Sequence, residues 1–152
     1  SWIRVVSELP EPVFAMDIRG LDEGYYQVKI RADDRLDNLP ERAASFDKES
    51  DPFLIDFTSP QVELQSLTTE GGIAIAKVVV TDQFGVISNA YYSVNGDQVL
   101  RSLPDDGLFD QTSETFTVVF DLIPRRDNSL VFQAYDENDN VGLVTRSIPG
   151  GE

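Results

Sequence analysis

One nine-residue motif occurs twice in the sequence and constrains the fold more than any other feature. The second copy spans residues 132–140, and the first, at 30–38, lies 102 positions earlier. Four identities align the copies: Ala32, Asp34, Asp37 and Asn38 match Ala134, Asp136, Asp139 and Asn140. Alternating apolar residues lead into the Asp and Asn residues of both copies. Such alternation with a period of two is typical of a half-buried strand that enters a tight turn.

The distance between the copies predicts two tandem domains. About a hundred residues is the usual length of an immunoglobulin-type sandwich. We therefore expect an all-β chain of two antiparallel sandwiches, covering residues 1–57 and 58–152, the first of them N-terminally incomplete. The short joint Thr58–Pro60 should hold them as a semi-rigid pair, because proline stiffens a linker.

The apolar pattern predicts the strands of each module. In the first module the predicted strands are residues 2–6, 13–18, 25–32 and 53–57, with a long loop over 33–50. In the second they are 61–67, 73–82, 90–94, 98–103, 115–122, 130–134 and 143–148. Tyr26, Val28 and Ile30 should face a core. Asn95-Gly96 predicts a type I′ hairpin turn, because both of its central positions need a positive φ.

The first module has too few residues before its motif to hold all seven strands of a constant-type sandwich. We expect its first three strands to be absent, which would leave Val28, Ile30, Phe14 and Phe53 without a facing sheet. On this interpretation Ser1 is a cut end. The missing strands, or strands of a partner, should then pair with the open edge.

Composition excludes several functions. The chain has no His and no Cys, which excludes Ser-His-Asp and Cys-His catalysis as well as Cys-ligated zinc, and predicts that the protein is not an enzyme. The net charge of −15 argues against binding to nucleic acid or to anionic membranes, and no apolar run is long enough for membrane insertion. Self-repulsion of this charge should weaken the fold at low salt.

Several short sequence segments resemble known bacterial modules. Residues 92–96, 103–110, 114–116 and 134–140 resemble immunoglobulin-like modules of large exported bacterial proteins, which often follow a β-propeller. Residues 21–26, 28–33 and 49–56 resemble the fibronectin type III-like module that precedes such a domain, and Leu21 to Tyr26 resembles its tyrosine corner. Residues 91–96 are also similar to the sandwich beside the sensor propellers of two-component receptors. Asp37 and Asp139 depart from these motifs, which often have Gly there.

The resemblance implies a non-catalytic structural or interaction module that acts as a spacer, a docking element or an adhesion surface. The setting would be extracellular or periplasmic. The partner would be an upstream domain of the same protein, or another protein or a glycan. Two alternatives stay open: a module beside a receptor's sensor propeller, and a carbohydrate-binding or enzyme-accessory module that uses Tyr25, Tyr91 and Tyr92.

The turn at the end of the second motif is a calcium candidate. Its oxygen-bearing residues are Asp136, Asn138, Asp139 and Asn140. Asp136, Asn138 and Asn140 match the first three ligand positions of an EF-hand loop, but Val141 replaces the required Gly. The alternative is a hairpin turn stabilised by the Asp side chain, as for the second acidic cluster, Asp105, Asp106 and Asp110. We expect no cofactor, and a calcium effect little beyond that of ionic strength.

Overall fold

The computed structural model describes residues 1–9 and 11–150. Its regular elements are eleven strands. They are β1 Gly24–Tyr26, β2 Lys29–Asp33, β3 Ser45–Glu49, β4 Phe53–Ile55, β5 Gln61–Glu70, β6 Ile73–Thr81, β7 Ile87–Val94, β8 Leu100–Ser102, β9 Ser113–Asp121, β10 Asn128–Asp136 and β11 Val141–Ile148. Within the described ranges there is no helix that could cross a membrane.

The last seven strands form an immunoglobulin-like sandwich. One sheet has the order β5-β6-β9 and the other the order β11-β10-β7-β8, and every pairing is antiparallel. The predicted all-β, immunoglobulin-like fold class is confirmed, as are all seven predicted strands of this module. The short fourth strand, β8, pairs with β7. In a constant-type domain the corresponding strand joins the opposite sheet.

The core lies between these two sheets and follows the predicted alternation. Every second residue of β6 from 74 to 80 is buried, while the residues between them face outward or are half-buried. Phe116 on β9 and Phe132 on β10 are fully buried, and their ring centroids lie 5.1 Å apart across the sandwich. The small side chains of Ala76 and Ala90 belong to the same buried cluster. Small residues among large rings let the two layers interdigitate.

The hairpin turn after β7 has the predicted geometry. Asn95 has φ 56° and Gly96 has φ 76°. The amide of Asp97 donates to the carbonyl of Val94 at 2.9 Å, which closes the turn. The Asn-Gly signal is therefore confirmed, for the reason that both central residues take a left-handed conformation.

Residues 1–57 have a simpler structure than the sequence predicts. β1 pairs with β4 and β2 with β3, so residues 24–55 form two successive antiparallel pairs, which we call the hairpin. The strands predicted at 2–6 and 13–18 are wrong, because these exposed segments have no ladder partner. The loop predicted over 33–50 contains β3. Lys29–Glu49 at 3.0 Å and Arg31–Asp47 at 2.7 Å join β3 to β2 through cross-strand ion pairs.

The side chains predicted to face a core in this region are mostly exposed. Val28 is 45% and Ile30 is 56% exposed, because no second sheet covers β2 and β3. The Tyr26 hydroxyl donates to the carbonyl of Asp22 at 2.8 Å, which confirms the expected pinning of the turn by this tyrosine. The assignment of residues 1–57 to a fibronectin type III-like module stays a prediction.

Candidate metal centre

Three aspartates from distant parts of the chain meet at one end of the sandwich. Asp56 directly follows β4, Asp82 directly follows β6, and Asp136 is the last residue of β10. One carboxylate oxygen from each lies within 4.8 Å of the others. The topology explains the convergence, because β6 and β10 run toward the end of the sandwich at which the chain enters β5. We call Asp56, Asp82 and Asp136 the aspartate cluster.

Each carboxylate is oriented by backbone amides of its own turn. Oδ1 of Asp56 accepts from the amide of Thr58 at 2.9 Å. Oδ1 of Asp82 accepts at 2.9 and 2.7 Å from the amides of the second and third residues after it. Oδ1 of Asp136 accepts at 2.8 and 2.9 Å from the amides of the second and fourth residues after it. These bonds are Asx turns, which fix the direction of the second oxygen of each group.

The Oδ2 atoms of the three carboxylates differ in their hydrogen bonding. Oδ2 of Asp136 accepts from the side-chain amide of Asn140 at 2.8 Å. Oδ2 of Asp56 and Oδ2 of Asp82 are buried and accept no hydrogen bond from any residue that the structure describes. Asp56 as a whole is only 4% exposed. A buried carboxylate oxygen without a partner is costly, and both oxygens are available to accept a hydrogen bond or to coordinate an ion.

Gly85 lets the loop after β6 approach this cluster. A Cβ atom at Gly85 would lie 3.1 Å from Oδ2 of Asp56 and 3.1 Å from Cβ of Asp136. The unpartnered oxygen of Asp56 is therefore directed into the space between the three turns, next to Asp136. A side chain at position 85 would crowd that space.

Among the residues that the structure describes, no cation pairs with the charge of the cluster. Burial raises the pKa of Asp56, and the negative charges of Asp82, Asp136 and Glu23 raise it further, against the hydrogen bond from Thr58. Ionised Asp56 thus destabilises the folded state unless positive charge is supplied.

The four residues of the calcium candidate are placed differently from one another. Asp136 belongs to the aspartate cluster, whereas Asp139 is exposed with φ 65°. The side-chain amides of Asn138 and Asn140 donate to the chain that precedes the sandwich: Nδ2 of Asn138 to the carbonyl of Leu54 at 3.4 Å, and Nδ2 of Asn140 to that of Asp56 at 3.1 Å, in addition to its bond to Oδ2 of Asp136. The two asparagines therefore link the sandwich to the end of the hairpin.

Sequence reasoning missed Asp56 and Asp82. Both lie at the end of an apolar strand, as Asp136 does, and each is followed by a residue whose amide it caps. The direction of the predicted strands was the signal from which these two residues could have been found. In an up-and-down arrangement the ends of β4, β6 and β10 fall on the same side, so acidic residues at these three ends are expected to meet.

The second acidic cluster is held by hydrogen bonds of its own turn and of the neighbouring strand. Asp105 accepts from the hydroxyl of Thr117 at 3.0 Å, and Asp106 accepts from the amide of Leu108 at 3.0 Å, as expected for a solvated turn.

The three tyrosines of the carbohydrate-binding alternative do not form a single cluster. Tyr25 is exposed on the hairpin, Tyr91 packs edge-on against Tyr135 at 6.1 Å, and Tyr92 packs against the core. Tyr91 and Tyr92 line one small groove, and Tyr25 does not belong to it.

The raised pKa of Asp56 predicts a measurable pH effect. A carboxyl whose pKa is higher in the folded state binds its proton more tightly there, so its destabilising effect is absent below the unfolded pKa and complete above the folded one. In a chelator, wild-type protein should therefore gain stability from this group as the pH falls from 7 toward 4. Asp56→Asn should lack that component.

The measurement is the difference in Tm between the two proteins at pH 7 and at pH 4.5. All other carboxylates contribute to both proteins. The pKa of Asp47 is lowered to about 2, so the stability that this carboxylate contributes is lost mainly below pH 4.5. An unchanged difference between the two pH values would contradict the interpretation.

Comparisons with known proteins give a structural likeness alone. No protein-family model and no curated protein matches the sequence. The crystal structure of the PKD1 domain from the Vibrio cholerae metalloprotease PrtV superposes with a TM-score of 0.47 at 12% sequence identity, covering 62% of this chain and 100% of that one. A likeness of this strength carries no argument about function.

Proposed function

We propose that the chain is a non-catalytic structural module of a large exported bacterial protein, in which the sandwich carries the hairpin in a fixed orientation. The observation that carries the proposal is the joint between them. It is a hydrogen-bonded and packed junction with few degrees of freedom, and such a junction suits a spacer or a docking element.

The joint is held from both sides. From the sandwich, Asn140 and Asn138 donate to carbonyls of the chain segment that leaves the hairpin. From the hairpin side, Oε1 of Glu23 accepts at 2.8 Å from the amide of Phe57 and at 2.8 Å from the hydroxyl of Thr58. Bonds to the backbone on both sides restrict rotation at the joint far more than a free linker of the same length would allow.

Packing reinforces these bonds. Pro60 is buried, and a Cβ atom at Gly142 would collide with the carbonyl of Pro60. The glycine therefore permits close contact between the joint and β11. Proline at the other side of the contact fixes φ and removes one source of flexibility.

The grooves of the sandwich support a non-catalytic role. The groove at the end opposite the aspartate cluster is lined by the β5–β6 turn and by Leu122, Pro124 and Asn128, and its only carboxylate among the described residues is that of Glu70. Catalysis through two facing carboxylates would need a second acid there. In a chain without His or Cys, this groove favours no reaction class.

Exposed apolar side chains support a docking role for residues 1–57. Several large ones on this part of the chain are mostly exposed: Ile3, Val5, Val13, Ile30 and Phe46. These side chains would be covered if residues 1–57 docked against another domain or protein. The exported setting is supported by the resemblance of the sequence motifs to bacterial immunoglobulin-like modules.

A spin-label distance measurement tests whether the hairpin is fixed. The chain has no Cys, so labels at Lys48→Cys on β3 and Thr115→Cys on β9 report one distance only. We expect a narrow distance distribution. Asn140→Ala should broaden it, because the carbonyl of Asp56 loses its side-chain donor.

Asn38→Ala is the matched control. Asn38 is the counterpart of Asn140 in the first motif, and its side chain donates to the carbonyl of Asp34 within the hairpin turn, away from the joint. This variant should leave the distribution narrow. A broad distribution for the unchanged protein, in the presence and in the absence of divalent cations, would refute the fixed-spacer function.

A further inference from the structure

We propose that the aspartate cluster binds a divalent cation of the calcium type and that the bound ion fixes the hairpin to the sandwich. The fixing of the hairpin by the ion rests on the proposed function, whereas the binding of the ion does not. The three ligands are Asp56, Asp82 and Asp136.

The first argument is charge. Three carboxylates offer oxygens within 4.8 Å of one another, and no Lys or Arg in the described part of the chain forms an ion pair with them. Like charges at this distance in a partly buried place repel strongly. A bound divalent cation removes that repulsion without moving any strand.

The second argument is the direction of the free oxygens. Oδ2 of Asp56 and Oδ2 of Asp82 are buried and unpartnered among the described residues, while Oδ1 of each is already used by backbone amides. The amides thus hold each carboxylate in one rotamer with its second oxygen available. This is the arrangement that a first coordination shell needs, because the ligands are oriented before the ion arrives.

The ligand set selects the type of ion. All three ligands are hard carboxylate oxygens, and the chain has no His or Cys to offer a softer atom. Oxygen-only sites suit calcium and magnesium rather than zinc or copper. Calcium tolerates an irregular shell that is completed by water, whereas magnesium demands near-octahedral geometry. Ligands from three unrelated turns fit calcium better.

The position of the site implies mechanical coupling. Asp56 lies on the segment that leaves the hairpin, Asp82 follows a strand of the three-stranded sheet, and Asp136 ends a strand of the four-stranded sheet. One ion would therefore connect the hairpin to both sheets. The expectation from sequence, a small calcium effect, considered the turn at 136–140 alone and did not include Asp56 or Asp82.

Thermal unfolding in a calcium titration tests the binding. Relative to the protein in EGTA, calcium should raise the Tm by roughly 5–10 °C when free calcium is ten times Kd, and the stabilisation should grow with the logarithm of 1 + [Ca²⁺]/Kd. We expect Kd in the range of ~0.1–1 mM, as for extracellular modules. Asp82→Asn should abolish this rise and should match or exceed the Tm of the unchanged protein in EGTA, because the amide oxygen can still cap the turn while one negative charge is lost.

Two controls separate a site from general screening. Asp139→Asn removes the same charge from the same end of the sandwich, and Asn tolerates the left-handed φ of position 139, so this variant should keep the full calcium effect. Sodium chloride at equal ionic strength should not reproduce that effect. A calcium response no larger than the response to sodium, or one that is lost equally in Asp139→Asn, would overturn the proposal.

Asp56→Asn provides a second variant with the same expected loss of response, should Asp82→Asn fail to fold. Calorimetric titration of the unchanged protein then gives the stoichiometry, which should be one. Neither a response retained in both variants nor a stoichiometry other than one is compatible with this site.

The spin-label pair tests the coupling. Calcium should narrow the distribution of distances between the labels at positions 48 and 115. Asp82→Asn should remove that narrowing. Calcium binding with a distribution that is equally narrow in EGTA would overturn the coupling while leaving the fixed spacer intact. A distribution that is broad with and without calcium refutes the spacer instead, so the two failures are distinguishable.

Discussion

Phe132→Ala is expected to remove a large part of the stability of the sandwich. Phe132 is fully buried, pairs with Tyr92 across the sheet, and lies 5.1 Å from Phe116 between ring centroids. Truncating a buried Phe costs about 3–5 kcal/mol, the sum of lost burial and the cavity left behind. Domains of this size are stable by only ~5–15 kcal/mol, so the variant should unfold at a much lower urea concentration. Circular dichroism measures the midpoint.

Phe46→Ala is the matched control for this change. Phe46 lies on β3 and is 68% exposed, so the same substitution there should change the free energy of unfolding by no more than about 0.5 kcal/mol. Phe132→Leu should fall between the two, because most of the volume is kept. Equal losses from Phe132→Ala and Phe46→Ala would show that the core does not lie where the two sheets meet.

The sandwich could be predicted from the sequence because its local and global signals agree. The buried positions of β6, β9 and β10 alternate with exposed ones, and the turn at Asn95-Gly96 has the residue types that its backbone requires. Consistent signals at these two levels leave few alternative pairings. All seven strands were therefore found, with boundaries in error by a few residues.

The hairpin region shows what the same rules could not find. Residues 2–6 have strand-forming side chains but no neighbouring strand edge, and a strand needs a partner more than it needs β-branched residues. β3 was missed for the opposite reason: it has a strand partner, but its residues are mostly polar and lack the apolar alternation from which strands were predicted. Its Asp47 and Glu49 complement Lys29 and Arg31 on β2 through ion pairs, and this complementarity was the readable signal.

The aspartate cluster could be predicted only in part. Asp136 stood out because its motif repeats, and its turn was read correctly as one that the side chain stabilises. Asp56 and Asp82 have no motif of their own. They join Asp136 because three strands end on the same side, which is a property of the topology rather than of any one stretch of sequence.

The second large effect is expected at Asn128, whose side chain connects the β7–β8 turn and the β9–β10 turn at the other end of the sandwich. Its side chain is buried and makes four hydrogen bonds. Oδ1 accepts from the amide of Ile123 at 2.8 Å and from the side chain of Asn95 at 2.9 Å, while Nδ2 donates to the carbonyls of Ile123 at 3.1 Å and Arg126 at 2.8 Å. Asn128→Ala leaves these partners unsatisfied, and we expect a loss of about 2–4 kcal/mol in the free energy of unfolding.

Asn89→Ala controls for the loss of an amide. Asn89 is half-buried and its two side-chain hydrogen bonds are both 3.5 Å long, so the loss should stay below about 1 kcal/mol.

Asn128→Asp makes the test sharper, because it keeps the shape and the accepting oxygen but turns the donor into a second acceptor that faces two carbonyls. Protonation restores one donor, so this variant should be less destabilised at pH 4 than at pH 7 relative to the unchanged protein. Equal losses at both pH values would mean that Asn128 acts through packing alone.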